Sequence, residues 1–250
     1  MKTRILMMIM LLSLTLCVCA QTTDIINVIN CDAAGYTTVL DQYFTIRGIV
    51  TTVNLDPSRL SFYVQDATAG VLIDKSASAG FYTNKGLAVG SDVTITGKVF
   101  FYNGLVELTP DAEADITNNG TGTVPTPVAI TIDDLQNLTA DNQARFNMRG
   151  KLVKIDNVYL ATGSAAWPAS GSNANLTIAI GAAANTPTGI MRIDKDTDCD
   201  ENTEPVWPQN VTGVLTQFDS STPYYDDFQI SPMSFAGFEA YATVDNWDLY

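Results

Sequence analysis

The sequence predicts an all-β protein made of two five-stranded barrels in tandem, joined by a short helix. Three observations lead there. Short runs alternate apolar and polar residues between turn clusters, long helical periodicity is scarce, and several motifs recur in the second half of the chain in the same order. A chain of 250 residues is long enough for two domains of this size.

Five strands are predicted in the first half of the chain. Asn103-Gly104 is the strongest turn signal among them, because both residues tolerate the positive φ that a two-residue hairpin requires. The longest break falls between the third and fourth strands, which is the plan of the OB fold. The predicted strands are Phe44–Val53, Leu60–Asp66, Gly70–Lys75, Ser91–Tyr102 and Leu105–Pro110.

The second half repeats four short motifs of the first half. The distance along the chain between partners is not constant, so two diverged copies of one five-stranded unit are expected. The pairs are Arg47-Gly48 with Arg149-Gly150, Ile73-Asp74-Lys75 with Ile193-Asp194-Lys195, Gly97 with Gly213, and Pro110 with Pro232.

A stretch rich in Gly, Pro, Thr and Asn separates the two copies. Thr131 and Asp134 after it have the spacing of a capping box, which predicts one short helix with Leu135 and Leu138 on one face. The expected division is 1–20 signal peptide, 21–42 N-terminal lead, 43–117 first barrel, 118–145 linker and short helix, 146–234 second barrel, and 235–250 C-terminal strand or tail.

The N-terminus has the pattern of an export signal. Lys2 and Arg4 precede the apolar run Ile5–Leu16, and Val18-Cys19-Ala20 fits a cleavage site before Gln21. We therefore expect a secreted protein, with a periplasmic or cell-surface location and lipid anchoring as alternatives. No other stretch is apolar for long enough to predict a transmembrane segment.

The composition argues against several classes of function. A formal net charge of −14 disfavours binding to phosphate backbones, although a local basic patch can still bind nucleic acid. The chain has no histidine, which excludes Ser-His-Asp and Cys-His catalytic systems and histidine-ligated zinc. We therefore expect a protein that is not an enzyme.

Several motifs also resemble a known family, the OB-fold domains of secreted bacterial proteins that often lie beside extracellular nuclease or phosphoesterase domains. The resemblance covers most of Phe44 to Pro232, and in those proteins a separate domain carries the catalysis. Since this chain ends at Tyr250, it is expected to be the binding or scaffolding part alone. The motifs are Arg47-Gly48, Phe62–Asp66, Gly90-Ser91-Asp92, Thr96-Gly97 and Tyr102-Asn103-Gly104 in the first half, and LVKIDNV, MRIDKDTD, VTGVLTQFD and FQISP in the second.

Aromatic residues are the candidate ligand contacts. OB folds bind across their second and third strands, and strand alternation puts Phe62 in the core and Tyr63 outside. The alternative is that these side chains cover a barrel or pack on the neighbouring domain. The candidates are Tyr63, Phe81, Tyr82, Tyr102, Trp167 and Trp207.

The acidic stretch IDKDTDCDENTE has carboxylates at alternate positions. It does not fit an EF-hand, because Cys199 and Pro205 occupy the places of the required Gly and Glu. A looser calcium site at Asp196, Asp198, Asp200 and Glu204 and a solvated loop both remain open, and no other cofactor is predicted. In an exported chain, Cys31 and Cys199 can also pair as a disulfide.

Three functions remain open from the sequence. The leading one is a secreted, non-catalytic protein that binds an extracellular glycan or protein. A second is a structural subunit of an extracellular assembly, self-associating through exposed strands at Asp24–Ile29 and Phe235–Tyr241. The third is a nucleic-acid-binding accessory to a separate extracellular nuclease.

Overall fold

The computed structural model describes residues 21–136, 142–181 and 187–241, and it is all-β. The predicted signal peptide, Leu138 and the last nine residues of the predicted tail lie outside these ranges. The elements are α1 (Ile25–Val28), β1 (Tyr43–Val50), β2 (Leu60–Gln65), β3 (Gly70–Lys75), α2 (Gly80–Asn84), β4 (Ser91–Tyr102), β5 (Leu105–Thr109), β6 (Ile116–Thr121), β7 (Val128–Ala129), α3 (Asn142–Phe146), β8 (Leu152–Leu160), β9 (Ala174–Ile180), β10 (Thr188–Ile193), β11 (Gln209–Gln217), β12 (Phe228–Ser231) and β13 (Phe238–Ala240), with 3-10 helices at Glu113–Asp115, Ile132–Leu135 and Phe235–Gly237.

The first sheet closes into the expected five-stranded barrel. Pairing runs β1-β2-β3-β5-β4 and returns to β1, with β3 and β5 parallel and the other pairs antiparallel. Leu60, Phe62 and Val64 are buried in its core, as the alternation predicted. Asn103 and Gly104 both have positive φ and form the β4–β5 turn.

The second sheet has the same pairing scheme. β8, β9, β10, β12 and β11 pair in that order, β11 pairs again with β8, and the one parallel contact of this circuit joins β10 to β12. In both sheets a 3-10 helix follows the fifth strand and leads into a sixth, which pairs with the long fourth strand: β6 with β4, and β13 with β11.

Two of the four motif pairs occupy equivalent places in this scheme. A Cβ on Gly97 would lie 2.8 Å from the backbone of Thr109, and one on Gly213 would lie 2.4 Å from the backbone of Ser231. Each glycine therefore lets the fifth strand approach the fourth, and the prolines that follow, Pro110 and Pro232, correspond as expected.

The other two motif pairs do not correspond. Leu108 and Ile230 are equivalent, because each lies two residues before the matching proline. Leu108 pairs with Ile73, whereas Ile230 pairs with Met191 and not with Ile193. The two Ile-Asp-Lys motifs are therefore displaced by two residues relative to each other. Arg47-Gly48 lies within β1, whereas Arg149-Gly150 precedes β8. In these two motif pairs, identical residue types do not occupy equivalent positions in the fold.

The segment predicted as linker is partly strand. Residues 118–121 belong to β6, and residues 128–129 form β7, which pairs with β8. Thr131 and Asp134 form the predicted capping box, but the helix that they start is a 3-10 turn, and α3 (Asn142–Phe146) is the helix that leads into the second barrel.

The N-terminal lead is not an exposed strand. Ile25–Val28 is helix α1, and the side chains of Ile25, Val28 and Ile29 are buried in the hydrophobic core. Asp66 and Thr68 of the β2–β3 turn accept hydrogen bonds from the amides of Ile25 and Ile26. Residues 24–29 therefore offer no free edge for self-association. At the other end, Phe238–Ala240 is strand β13 at the edge of its sheet.

In the ranges described, no helix has the length and apolar character needed to cross a membrane.

Candidate functional site: the cleft between the barrels

The β4–β5 turn of the first barrel is docked on the second. The backbone N–H of Asp219 donates to the carbonyl of Asn103 at 2.8 Å, and a Cβ on Gly104 would lie 2.8 Å from the side chain of Gln217. The turn therefore fixes one end of a cleft between the two barrels.

Two glycines bring the barrels into backbone contact. A Cβ on Gly70 would lie 2.0 Å from the carbonyl oxygen of Gly150, and the backbone N–H of Leu152 donates to Gln65 Oε1 at 2.9 Å. Because only hydrogen fits between Gly70 and Gly150, this contact sets how close β3 and β8 lie.

Arg149 connects three parts of the chain. Its side chain is 2% exposed and donates to the carbonyl of Gly104 in the first barrel, to Gln217 Oε1 in the second at 3.0 Å, and to Cys31 Sγ of the lead at 2.8 Å. It also lies over the ring of Phe146. Burial lowers the pKa of the Arg149 guanidinium. Burial also raises the pKa of the Cys31 thiol, whereas the positive charge of Arg149 acts to lower the pKa of that thiol.

The lead also braces the two barrels. The Tyr36 ring packs on Phe101 of the first barrel, with centroids 4.7 Å apart, and the Tyr225 hydroxyl of the second barrel donates to the carbonyl of Ala33 at 2.8 Å. The orientation of the barrels therefore depends on a segment outside both.

Between the barrels lies a cavity of about 410 Å³. On one side it is walled by the β1–β2 loop and the outer face of β2, β3 and β5, which is the surface that OB folds use for ligands. On the other side are β10, β12 and the end of β11. The lining residues include Asp56, Arg59, Ser61, Tyr63, Leu72, Tyr102, Leu105, Glu107, Asn173, Arg192, Asp194, Lys195, Asp196, Thr216, Gln217, Phe218, Gln229, Ser231 and Met233.

Tyr63 lies in the floor of this cavity. It is on the outer face of β2, as alternation predicted, but it is only 3% exposed because the second barrel covers it with Leu152 and Val214. Tyr63 therefore packs on the neighbouring barrel, which is the alternative that the sequence left open. Burial raises the pKa of its hydroxyl, which stays neutral.

The carboxyl group of Glu107 also faces the cleft. Burial, together with the nearby Asp74, raises its pKa to about 7, while Arg59 acts in the opposite direction. Arg59 donates to both carboxylate oxygens of Asp74 and to Ser76 Oγ at 2.8 Å, so its guanidinium is already engaged. Glu107 and Asp74 thus lie near the same guanidinium, which is bound to Asp74.

Tyr102 and Phe218 form the exposed rim of the cleft. They are 59% and 55% exposed, and their rings meet edge to face with centroids 6.1 Å apart. A second cavity of about 370 Å³ shares Arg192, Phe218 and Gln229 with the first and extends along the outer face of the second barrel.

The remaining predicted aromatic contacts serve packing. Tyr82 is on α2, where its ring packs against Phe62 and its hydroxyl donates to the carbonyl of Thr52 at 3.0 Å. Phe81 packs at the edge of the same core. Trp167 donates to the carbonyl of Asn202, and Trp207 donates to Glu204. Both tryptophan rings contact Phe238 and anchor the long loops of the second barrel.

The structure gives the four predicted calcium ligands separate partners. Asp196 binds Lys195, Asp198 accepts from the backbone of Phe235 at 2.6 Å, and Asp200 accepts from the backbone of Gly171 at 2.5 Å. Glu204 is engaged by Trp207. Across residues 21–136, 142–181 and 187–241, no group of three or more acidic, cysteine or histidine side chains is placed to hold a metal ion.

Cys31 and Cys199 are not joined by a disulfide. Both are buried free thiols, Cys31 against Arg149 and Cys199 within the second barrel, where its Sγ lies 3.8 Å from the carbonyl oxygen of Pro232. Burial raises the pKa of Cys199 to about 11. The two thiols thus serve as packing groups in separate places.

Sequence reasoning found Tyr63 and Tyr102 but missed Glu107, Arg192 and Phe218. Phe218 stands at the end of β11 as Tyr102 stands at the end of β4, because both strands pair equivalently with the strand that follows. A correctly registered comparison of the two halves would have identified it.

Comparison with known proteins gives one partial relative. Endonuclease YhcR of Bacillus subtilis (strain 168) is 33% identical over 118 residues, which are 46% of this chain and 9% of that protein. The chain thus spans less than a tenth of the length of this curated relative. The match agrees with the resemblance to domains of nuclease-containing proteins. No protein-family model matches the sequence.

Solved structures give more distant likenesses. A murine DNA binding protein bound with ds DNA aligns with 80% of this chain and 96% of its own at a TM-score of 0.38 and 12% identity. The p204 HINb domain aligns with 78% and 95% at 0.36 and 12%. At such scores the fold assignment rests on the strand pairing alone.

Proposed function

We propose that this protein is an extracellular, non-catalytic binding module that holds a stretch of an extended glycan in the cleft between its two barrels. One observation carries the proposal: the cavity between the barrels continues into a second cavity on the outer face of the second barrel, and the two share the lining residues Arg192, Phe218 and Gln229. Together the two adjoining cavities form an elongated groove, a shape that accommodates a linear polymer.

The chemistry of the groove favours sugars over nucleic acid. Its basic side chains are Arg59, Arg192 and Lys195, and each already contacts a carboxylate. Polyphosphate ligands require uncompensated positive charge, which this lining lacks. Hydroxyl-rich ligands instead use amide and hydroxyl partners beside exposed aromatic rings, and the groove supplies both.

Titration calorimetry with linear hexasaccharides tests this proposal. Replacing either rim ring, Tyr102→Ala or Phe218→Ala, should weaken binding about tenfold, or about 1.4 kcal/mol. Tyr43→Ala is the matched control, because Tyr43 is 55% exposed on the first barrel but lines neither cavity. If neither rim substitution changes the affinity for the hexasaccharide, the ligand binds elsewhere on the protein.

A second candidate function is single-strand nucleic-acid binding as an accessory to a nuclease. The partial similarity to Endonuclease YhcR favours it. It predicts that single-stranded DNA is retarded in a low-salt gel shift and released as salt increases. Absence of retardation at low salt would eliminate this candidate.

A further inference from the structure

Two polar side-chain groups in the cleft make no hydrogen bond. In the described parts of the chain, neither the Tyr63 hydroxyl nor the Glu107 carboxyl is hydrogen-bonded, although both residues line the cavity. Tyr63 lies opposite Leu72 on β3, and Leu72 lies opposite Glu107 on β5. The two groups therefore flank Leu72 in one row across three strands, roughly 10 Å apart.

The charge around Glu107 is unbalanced. Asp74 is nearby, and the guanidinium of Arg59 is bound to Asp74 and Ser76. The Glu107 carboxylate is therefore only partly compensated by Arg59, and a cation supplied by a ligand would stabilise it further. The overall charge of −14 also attracts cationic ligands.

We propose that the bound polysaccharide contains unacetylated amino sugars and that a primary ammonium group of this ligand binds at Glu107. This inference rests on the proposed glycan function. The hydroxyl of Tyr63 pairs with a ring substituent of the adjacent sugar. The amide group of Gln229 stands on the opposite wall, where it can pair with a further hydroxyl.

A lysine-rich peptide is the competing cationic ligand. Peptides that bind to sheets commonly add a strand to a free edge. Here β2, β3 and β5 each pair on both sides within the closed circuit, so the cleft wall offers no edge. The observations therefore favour the glycan.

The experiment compares three hexasaccharides at pH 6.0 on the mature chain: β-1,4-linked glucosamine, its N-acetylated form, and β-1,4-linked glucose. We expect the aminated ligand to bind at least tenfold more tightly than the other two. Ammonium binding also displaces the proton of Glu107, so calorimetry in buffers of different ionisation heat should detect release of up to about one proton.

Two variants and one control locate the effect. Glu107→Gln should abolish the preference for amines and the proton release while binding of the acetylated ligand persists, and Glu113→Gln, on the 3-10 helix outside the cleft, should change neither. Tyr63→Phe should weaken all three ligands about fivefold through loss of one hydrogen bond.

The outcomes separate the inference from the function on which it rests. Binding of all three glycans with equal affinity, or an amine preference that survives Glu107→Gln, overturns the inference and leaves the glycan function standing. Failure to bind any glycan overturns both. A lysine hexapeptide that binds more tightly than the aminated glycan, with the same dependence on Glu107, overturns the choice of a glycan ligand.

Discussion

The two barrels use one pairing scheme but place different side chains on equivalent positions of their outer faces. In the register of the strand pairs, Tyr63, Asp74 and Glu107 of the first barrel correspond to Thr177, Arg192 and Gln229 of the second. The first wall is aromatic and acidic, and the second carries a guanidinium and an amide. Neither face alone has the full set of groups, so the proposed site in the cleft is a composite one that depends on how the barrels dock.

Uncoupling the barrels should have the largest effect. Arg149→Met removes the donor to Gly104, Gln217 and Cys31 and leaves buried acceptors without a partner. We expect a loss of about 3 kcal/mol in the free energy of unfolding, measured by urea denaturation.

The matched control is Arg47→Met. Arg47 pairs with Asp92 on an exposed face, so its replacement should cost less than about 1 kcal/mol. Equal losses from the two variants would show that Arg149 does not hold the barrels together.

Pushing the barrels apart should have the next largest effect. Gly70→Ala places a methyl group against the carbonyl oxygen of Gly150, and the resulting overpacking should cost about 2 kcal/mol. The control Gly80→Ala meets only Asn84 Nδ2, at 3.8 Å, and should be tolerated. The same Gly70→Ala variant should also lose glycan affinity, and retention of full affinity would argue against a site shared by both barrels.

Replacing Glu107 by glutamine, the residue type at the equivalent position of the second barrel, should have a smaller and pH-dependent effect on the free energy of unfolding. Folding raises the pKa of Glu107 from 4.5 to about 7, so the folded state binds the proton more tightly. This contribution to stability is complete below pH 4.5 and is lost as the pH rises through 7.

Glu107→Gln installs the amide found at Gln229 and removes that dependence. Relative to the native protein, the variant should gain on the order of 1 kcal/mol in stability between pH 5 and pH 8, allowing for solvent in the cleft. Chemical denaturation at the two pH values measures it, with Glu113→Gln as the control. A constant difference would mean that Glu107 titrates normally.

The sequence predicted those features that depend on local pattern. Alternation placed Phe62 in the core, and the requirement for positive φ placed the hairpin turn at Asn103-Gly104. These features follow from neighbouring residues in one or two strands, which is why short-range rules suffice.

Features that depend on docking were not predictable in this way. The burial of Tyr63 requires knowledge of what covers its face, and the partners of Arg149 come from the lead, the first barrel and the second barrel. Arg149-Gly150 shares its letters with Arg47-Gly48, yet Gly150 is required by its contact with Gly70. Short motifs therefore gave wrong correspondences between the two halves at positions where a tertiary contact determines the residue type.

The central claim is that both barrels contribute to one ligand groove. Mapping amide chemical-shift changes on the isotope-labelled chain without the predicted signal peptide (residues 21–250), during titration with the aminated hexasaccharide, tests it most directly. We predict changes at Ser61–Tyr63 and Leu105–Glu107 in the first barrel, and simultaneously at Ile190–Arg192 and Gln217–Phe218 in the second. Changes confined to one barrel, or centred on the loops of Trp167 and Trp207, would contradict the account.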